Sequence, residues 1–293
     1  MHMTKAKSAL SKALALLLVS AAVFAAAACR GGEAVSSAAP SDSVAADGVA
    51  ADDGLRTVEL APFISENDGD FAYDGPDGVL ENFRLPYSLN PDIVGWLTVR
   101  NGNGVAFIDY PVVQSYDNNF YLRRSFFGGY ASGGTVFMHY RCDPVDLSAN
   151  TVIFGHNLKD HCLFAQLLKY TSASFCNSAP IIEYSTLYKR YKFKIFAAFY
   201  TDLRFDYIQP SYKSASGFFA VVDQARARSV VKTDTDVTAD DRIITLSTCA
   251  YIDGVKNARF VVMGRLLRDG ESEGGFTATD NPSALDIRQR YTP

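Results

Sequence analysis

"TLSTCAYIDGVKNAR" occupies residues 245–259 and joins two apolar, strand-like runs near the end of the chain. Cys249 closes the first run, and Arg259 opens the second run ten positions later. Only nine residues separate them, so the second strand should fold back as a hairpin and bring Arg259 beside Cys249. The stretch predicts a strand pair with a thiol and a guanidinium at one end.

Six further runs of the same kind precede this pair, and each is rich in β-branched and aromatic residues and bounded by turn signals. Helical patterns interrupt them at 162–170 and 214–230, and another helical region precedes the first strand. Many short strands with few helices favour a mainly β fold, either a closed barrel or a sandwich. The eight runs cover residues 96–100, 105–113, 134–140, 150–156, 180–186, 191–200, 242–249 and 259–267.

The composition fits one good-sized globular domain with appendages, because 48% of the 293 residues are hydrophobic. The formal net charge of -4 and the scattered Lys and Arg residues argue against a nucleic-acid-binding protein. The five cysteines form no CxxC pair, so no zinc site, redox motif or cofactor is indicated. An odd number of cysteines leaves at least one thiol unpaired.

The first 29 residues have the pattern of a targeting segment, with lysines before the uncharged 16-residue stretch 13–28. This length fits both an uncleaved membrane anchor and a cleaved export signal. Cys29 after Ala-Ala-Ala also resembles a lipoprotein processing site, although Ala26 stands where such sites usually carry Leu. Each alternative places the rest of the chain outside the cytoplasm.

Four segments follow from this pass along the chain. Residues 30–78 consist largely of Ala, Ser, Gly and Asp and are predicted to form a flexible acidic linker. The folded domain is predicted to span residues 79–268, and residues 269–293 are predicted to form a disordered tail. Residues 1–29 precede them as the signal or anchor, with lipidation at Cys29 as one alternative.

Two candidate catalytic residues lie at predicted strand ends, where a rigid sheet delivers side chains to a common rim. His156 ends the fourth run and Cys249 ends the seventh. A cysteine nucleophile acts as a thiolate, which a nearby imidazole or guanidinium favours. With Arg259 these residues would supply a nucleophile, an acid and base, and a cation for an oxyanion. A buried structural cysteine is the competing interpretation.

The sequences of these motifs resemble those of the sortase family of cysteine transpeptidases. "TLSTC" is followed ten residues later by Arg259, and "FGHN" lies 93 residues upstream of the cysteine. The stretches "NPDIVGWLTV", "IDYPVVQ", "DNNFYL" and "NTVIFGHNLKD" resemble the class B sortases in particular. The resemblance spans residues 90–267 and makes 79–268 a sortase catalytic domain. It implies an eight-stranded β-barrel with N-terminal helices, a helix between strands six and seven, and a membrane-anchored domain on the outer cell face.

The resemblance also implies a chemistry. Cys249 would attack the carbonyl after the Thr of an LPXTG-like sorting signal and form a thioester. His156 would protonate the leaving amine and deprotonate the incoming one, and Arg259 would bind the substrate and the oxyanion. The acceptor would be an amine of peptidoglycan or of its lipid-linked precursor. No metal and no cofactor takes part, and the product would be a surface protein joined to the wall of a Gram-positive-type cell envelope.

Five positions match the signal-peptide groove of class B enzymes: Asn118, Leu122, Tyr207, Ile208 and Ser247. Two neighbours depart from the family pattern, because Phe154 stands where Tyr is common and Ala250 where a polar residue often follows the cysteine. Three other functions compete with wall anchoring. They are a pilin-polymerising sortase with a lysine acceptor, a secreted cysteine hydrolase or peptidase, and a non-catalytic wall-binding module.

The remaining histidines and cysteines have plainer interpretations. His161 and Cys162 lie close to His156 in sequence, but no further ligand spacing supports a metal site there. We interpret His139, Cys142 and Cys176 as ordinary barrel or loop residues. A disulfide between two of Cys142, Cys162 and Cys176 is an alternative in an oxidising compartment.

Overall fold

The computed structural model describes residues 73–288. The predicted targeting segment and nearly all of the predicted linker therefore lie outside the described residues. One helix precedes the barrel within the described range, α1 (Glu81–Leu89), and it is followed by β1 (Ile93–Arg100) and β2 (Ala106–Val113). No helix within 73–288 is long and apolar enough to cross a membrane.

Six further strands join β1 and β2 in the barrel: β3 (Phe137–Met138), β4 (Asn150–Phe154), β5 (Ile181–Thr186), β6 (Arg190–Thr201), β8 (Ile243–Cys249) and β9 (Arg259–Leu266). The eight strands close in the spatial order β1-β2-β3-β4-β8-β9-β6-β5. Two neighbouring pairs, β2–β3 and β4–β8, are parallel, and the other pairs are antiparallel. The predicted mainly β class and eight-stranded barrel are confirmed, and each predicted run contributes one barrel strand.

The helices lie where the sequence patterns and the family resemblance place them, with one difference. The helix between strands six and seven of the barrel is α3 (Ala215–Arg228), which begins where the Ser214 hydroxyl accepts a hydrogen bond from Gly217 N at 3.2 Å. The pattern at 162–170 forms a 3-10 helix, Phe164–Thr171, followed by α2 (Ala173–Ser178). A second 3-10 helix, Phe120–Arg123, lies between β2 and β3.

Two apolar clusters hold the barrel together. The larger cluster fills the interior and includes Leu97, Val152 and Leu246. The smaller cluster lies between the outer face of the β6–β9 sheet and α3, and it includes Val261 and Met263. Successive residues of β9 thus point to opposite faces of the sheet, as strand geometry requires. Both faces of the β8–β9 pair are therefore largely covered, and only its ends reach solvent.

Two predicted segments differ from the structure. The run 134–140 contributes only two residues of strand, because Thr135 N donates to Tyr121 O in the 3-10 helix Phe120–Arg123 at 3.1 Å instead of to a strand. The described part of the predicted disordered tail contains β10 (Ala278–Asp280), which pairs with β7 (Val231–Thr233). Polar side chains hold this segment, since Asn177 both donates to and accepts from the Ala278 backbone. The low hydrophobicity of this segment therefore did not predict that part of it forms a strand.

Candidate active site

Cys249 and Arg259 are direct cross-strand partners at the end of the β8–β9 pair. Such partners point to the same face of the sheet, with Cβ atoms about 5 Å apart. Just beyond them, Ala250 N donates to Ala258 O at 2.9 Å and fixes the base of the hairpin loop. Both side chains are half-buried, so they remain accessible to a ligand. The prediction that the hairpin brings Arg259 beside Cys249 is confirmed.

His156 reaches the same rim from the neighbouring strand. It lies two residues beyond β4, which runs parallel to β8 with Phe154 opposite Ser247. Two side-chain hydrogen bonds tie this segment to the end of β8, beside the backbone bond from Gly155 N to Ser247 O at 3.3 Å. Asn157 Nδ2 donates to Cys249 O at 2.9 Å, and Thr248 Oγ1 donates to Gly155 O at 2.7 Å. The structure thus gathers the thiol, the imidazole and the guanidinium at one end of the barrel.

The His156 ring is oriented by a backbone carbonyl, because its Nε2 lies 3.0 Å from Leu122 O. A carbonyl oxygen only accepts, so Nε2 carries the proton and Nδ1 is the basic nitrogen of the neutral ring. Burial lowers the pKa of His156, the Leu122 carbonyl opposes this by favouring the protonated ring, and the charge of Arg123 lowers it further. The neutral imidazole is therefore the major form near pH 7.

Two of the five predicted groove residues form a buried pair beside the thiol. Tyr207 and Ser247 are each 2% exposed, and their hydroxyl oxygens lie 2.8 Å apart. Burial raises the pKa of Tyr207, while the Ser247 hydroxyl and the charge of Arg259 lower it. Ser247 lies two residues before Cys249 on β8, so the pair adjoins the thiol. It supports the rim from below, since little of either side chain reaches solvent.

The other three predicted groove residues are more accessible. Leu122 is half-buried and supplies the carbonyl that binds His156. Ile208 packs partly buried against both apolar clusters. Asn118 uses its side-chain oxygen to accept from Tyr140 N at 3.0 Å, which joins the loop after β2 to the end of β3. The groove roles of all five residues stay predictions.

Phe154 and Ala250, the two positions that depart from the family pattern, are packed side chains without polar atoms. The Phe154 ring lies 5.2 Å from the Phe137 ring and 6.1 Å from the His139 ring, between centroids. Ala250 is buried directly after the nucleophile candidate. Neither position adds a polar group to the rim.

The remaining histidines and cysteines differ in exposure. His161 is exposed and has a left-handed backbone, with φ of 63°. The four cysteines of residues 73–288 form no disulfide with one another, and burial raises the pKa of Cys142 and raises that of Cys176 to about 12. No group of three metal-ligating side chains occurs in the described part of the chain.

Two groups that orient the residues of the site were not predicted from the sequence. The Leu122 carbonyl is a backbone atom, and no sequence pattern names it as the partner of His156. Asn157 follows His156 directly in "FGHN", so the motif contained the residue but not its bond to the Cys249 carbonyl. The rim holds a thiol, an imidazole and a guanidinium, which are the types of group that acyl transfer requires.

Comparison with known proteins identifies the family. A sortase domain model matches residues 104–267, more than half of the chain. Curated relatives are Sortase B of Listeria monocytogenes, 35% identical over 64% of this chain and 75% of the relative, and Sortase B of Staphylococcus aureus, 32% identical over 65% and 76%.

Solved structures agree with these relatives. The Staphylococcus aureus sortase B–substrate complex superimposes with a TM-score of 0.59 at 30% identity, covering 66% of this chain and 87% of that chain. A Bacillus anthracis protein similar to sortase B gives a TM-score of 0.58 at 34% identity, covering 66% and 86%. With the barrel and the rim already described, these matches show that the chain belongs to the sortase family of cysteine transpeptidases, in class B.

Proposed function

We propose that this sortase cleaves an LPXTG-like sorting signal after its Thr and transfers the resulting acyl group to an amine of peptidoglycan or its lipid-linked precursor. The observation that carries the proposal is the cross-strand pairing of Cys249 with Arg259 at a rim that His156 also reaches. The Staphylococcus aureus relative was solved as a complex with substrate, which supports a peptide groove on this barrel.

In the first half-reaction, the Cys249 thiolate attacks the carbonyl carbon of the Thr residue and a C–S bond forms. The oxygen of that carbonyl becomes an oxyanion, which the Arg259 guanidinium stabilises. The C–N bond then breaks as protonated His156 gives its proton to the leaving amine. A thioester on Cys249 and a free C-terminal peptide result.

In the second half-reaction, the acceptor amine attacks the thioester carbonyl. Neutral His156 takes a proton from that amine, and the C–S bond breaks to regenerate the Cys249 thiolate. Because burial lowers the pKa of His156, only a minority of molecules hold the protonated ring needed to start a new cycle at neutral pH. The Leu122 carbonyl increases that minority.

The peptide groove is proposed to run over the Tyr207–Ser247 pair. Ser247 precedes Cys249 by two positions and lies on the same face of β8. Leu122 and Ile208 would give apolar contacts to the signal, and Asn118 would bind polar backbone. Surface proteins that carry such a signal are the proposed substrates.

The enzyme is proposed to act on the outer face of a cell membrane. This proposal rests on the apolar stretch 13–28 and its flanking lysines, which fit an export signal or anchor. Sorting signals and wall amines are both extracytoplasmic in this scheme. Fractionation of cells that express the full chain tests it, since release into the medium would contradict membrane association.

The decisive experiment incubates the reduced enzyme with a library of LPXTG-like peptides, with and without a glycine- or diaminopimelate-bearing amine. We expect slow release alone, a covalent adduct on Cys249 by mass spectrometry, and faster turnover with transfer to the amine. A neutral amine is a far better nucleophile than water toward a thioester. Adducts on Cys142, Cys162 or Cys176 are not expected.

The same assay separates the competing functions. Fast release that ignores every amine would favour the hydrolase or peptidase, and efficient transfer to a protein lysine alone would favour pilin polymerisation. A folded, reduced enzyme that traps and cleaves no peptide would favour a wall-binding module.

A further inference from the structure

The carbonyl that holds His156 belongs to a short 3-10 helix, Phe120–Arg123, which is anchored from outside the rim. Within this helix the Tyr121 side chain is buried, at 3% exposure. Its hydroxyl donates to Asp92 Oδ2 at 2.7 Å and accepts from Asn90 Nδ2 at 3.0 Å. Burial raises the pKa of Tyr121 to about 12 and the Asp92 carboxylate adds to this, so the hydroxyl remains a donor at working pH.

The opposite side of the same helix is held by the chain before β3. Thr135 N donates to Tyr121 O at 3.1 Å, and the Thr135 hydroxyl donates to Arg124 O at 2.8 Å. Gly134 packs so closely that a Cβ there would lie 2.5 Å from Tyr121 O and 2.6 Å from Leu122 O. Its φ of +61° also favours glycine. Hydrogen bonds thus hold the chain on both sides of Leu122, and Gly134 packs against its carbonyl.

We infer that Tyr121, held by Asp92 and Asn90 at the start of β1, is a positioning residue that fixes the Leu122 carbonyl against His156. The inference rests on the proposed role of His156 as the acid and base. Tyr121 touches no reacting atom, and it acts through the next residue of its own helix. Asn90 extends the anchor, since its side chain also donates to Phe126 O at 2.7 Å.

The charged groups around His156 predict the direction in which its pKa changes when the hydrogen bonds of the Tyr121 hydroxyl are removed. Arg123 faces the ring from the 3-10 helix, Cys249 ends the adjoining strand β8, and Arg259 begins β9. Burial and Arg123 lower the pKa of His156, and the Leu122 carbonyl is the group that raises it. If the Leu122 carbonyl is held less firmly against the ring, the pKa of His156 should therefore fall further and the protonated fraction should decrease.

The test compares Tyr121→Phe with Tyr170→Phe. Each variant removes one buried phenol hydroxyl and keeps the ring, and Tyr170 donates to Ala179 O at 2.7 Å in the segment that leads into β5. The first readout is the imidazole titration by NMR, with the His156 signal assigned by its loss in His156→Gln. The second readout is the pH profile of kcat and KM with a cleaved sorting-signal peptide.

We expect Tyr121→Phe to move the His156 titration to lower pH and to decrease kcat by about 10- to 100-fold, the scale of a misplaced catalytic group. Tyr170→Phe should change only thermal stability. Asp92→Ala, at an exposed position, should repeat the shift if Tyr121→Phe folds poorly. Asp92→Asn keeps an oxygen acceptor and should restore most of the activity.

Two outcomes would overturn the inference. One is an unchanged His156 titration in both Tyr121→Phe and Asp92→Ala, and the other is a rise in KM with kcat and titration intact, which would assign the helix to the groove alone. If the titration shifts as expected while the wild-type enzyme transfers no acyl group, the positioning role stands and the proposed function fails.

Discussion

Arg259 and Arg265 lie six residues apart on the same face of β9, yet they have opposite environments. Arg259 is half-buried at the rim beside Cys249, and within residues 73–288 no carboxylate lies in ion-pair range of it. Arg265 is 1% exposed at the other end of the strand, where it bonds both oxygens of Glu271 and pairs with Asp236 at 3.3 Å. Arg259 thus has no carboxylate partner among the described residues, whereas Arg265 is fully paired within the fold.

The buried end shows what a structural arginine needs. A charge removed from water is costly unless carboxylates and carbonyls satisfy it. Arg265 also donates to Asp236 O and Leu266 O, each at 3.1 Å. Lys194 joins the cluster 3.1 Å from Glu271. This ion-pair cluster fixes the segment after β9 against the barrel.

The rim shows the reverse arrangement. An arginine paired with a carboxylate would offer less charge to an oxyanion, because the carboxylate would compete for its donors. Among the described contacts, Arg259 Nη1 donates to its neighbouring carbonyl, Ala258 O, at 3.1 Å. We therefore expect substitutions at the rim to reduce turnover with the fold intact, and substitutions at the ion-pair cluster to reduce stability with the chemistry intact.

The largest effect is expected for Cys249→Ala. Loss of the nucleophile should decrease cleavage of a sorting-signal peptide by about 10⁴-fold or more, while the melting temperature stays close to wild type because the side chain ends a strand and is half-buried. Cys176→Ala is the matched control, since that thiol is fully buried and should affect stability alone. Retained turnover in Cys249→Ala would remove this residue from the mechanism.

His156→Ala should be nearly as damaging, with a loss of about 10³-fold. Without the imidazole, the leaving amine receives no proton and the thioester forms slowly. His161→Ala serves as the control because His161 is exposed on the following loop. Normal rates in His156→Ala with a defect in His161→Ala would reverse the assignment. The measurement is steady-state peptide cleavage, supported by circular dichroism of both variants.

The barrel could be predicted from sequence because its strands are built from local patterns. All eight runs are bounded by turn signals and form strands in the order expected. The length of β3 was overestimated, since the backbone N–H of Thr135 donates to the 3-10 helix Phe120–Arg123 rather than to a strand. β10 was missed because its pairing depends on Asn177, about a hundred residues earlier in the chain. Composition does not encode such long-range hydrogen bonds.

The rim could be predicted in part for a related reason. The hairpin spacing placed Arg259 beside Cys249, and the motif "FGHN" supplied His156. The carbonyl of Leu122 and the Tyr121 anchor could not be predicted, because the first is a backbone atom and the second depends on Asp92, which is distant in sequence. Side-chain types at strand ends are visible in a sequence, and the groups that orient them are not.

A direct test of the comparison exchanges each arginine for lysine. Arg259→Lys keeps the charge but loses the planar fork, and we expect turnover to fall by about 10²-fold, the scale of one lost oxyanion donor. Arg265→Lys should leave turnover unchanged and decrease the free energy of unfolding by about 1–3 kcal/mol, as its paired bonds to Glu271 are lost. Urea unfolding and peptide cleavage are measured on both. Equal turnover of Arg259→Lys and wild type would mean that only the charge matters at the rim.

The smallest effect is expected in the pH dependence of stability at the ion-pair cluster. Hydrogen bonds from Arg265 lower the pKa of Glu271 to about 2 from its ordinary value of 4.5, and Arg268 N and Lys194 add to this against the opposing effect of burial. A carboxyl whose folded pKa is depressed stabilises the fold above its unfolded pKa, and this contribution disappears as pH falls through the folded value. The free energy of unfolding should therefore decrease between about pH 4.5 and pH 2, and Glu271→Gln should flatten that decrease.

Glu273→Gln is the control, because Glu273 pairs with Lys192 at an exposed position. Acid unfolding curves that are parallel in wild type and Glu271→Gln would show that the cluster does not stabilise the barrel through this carboxylate.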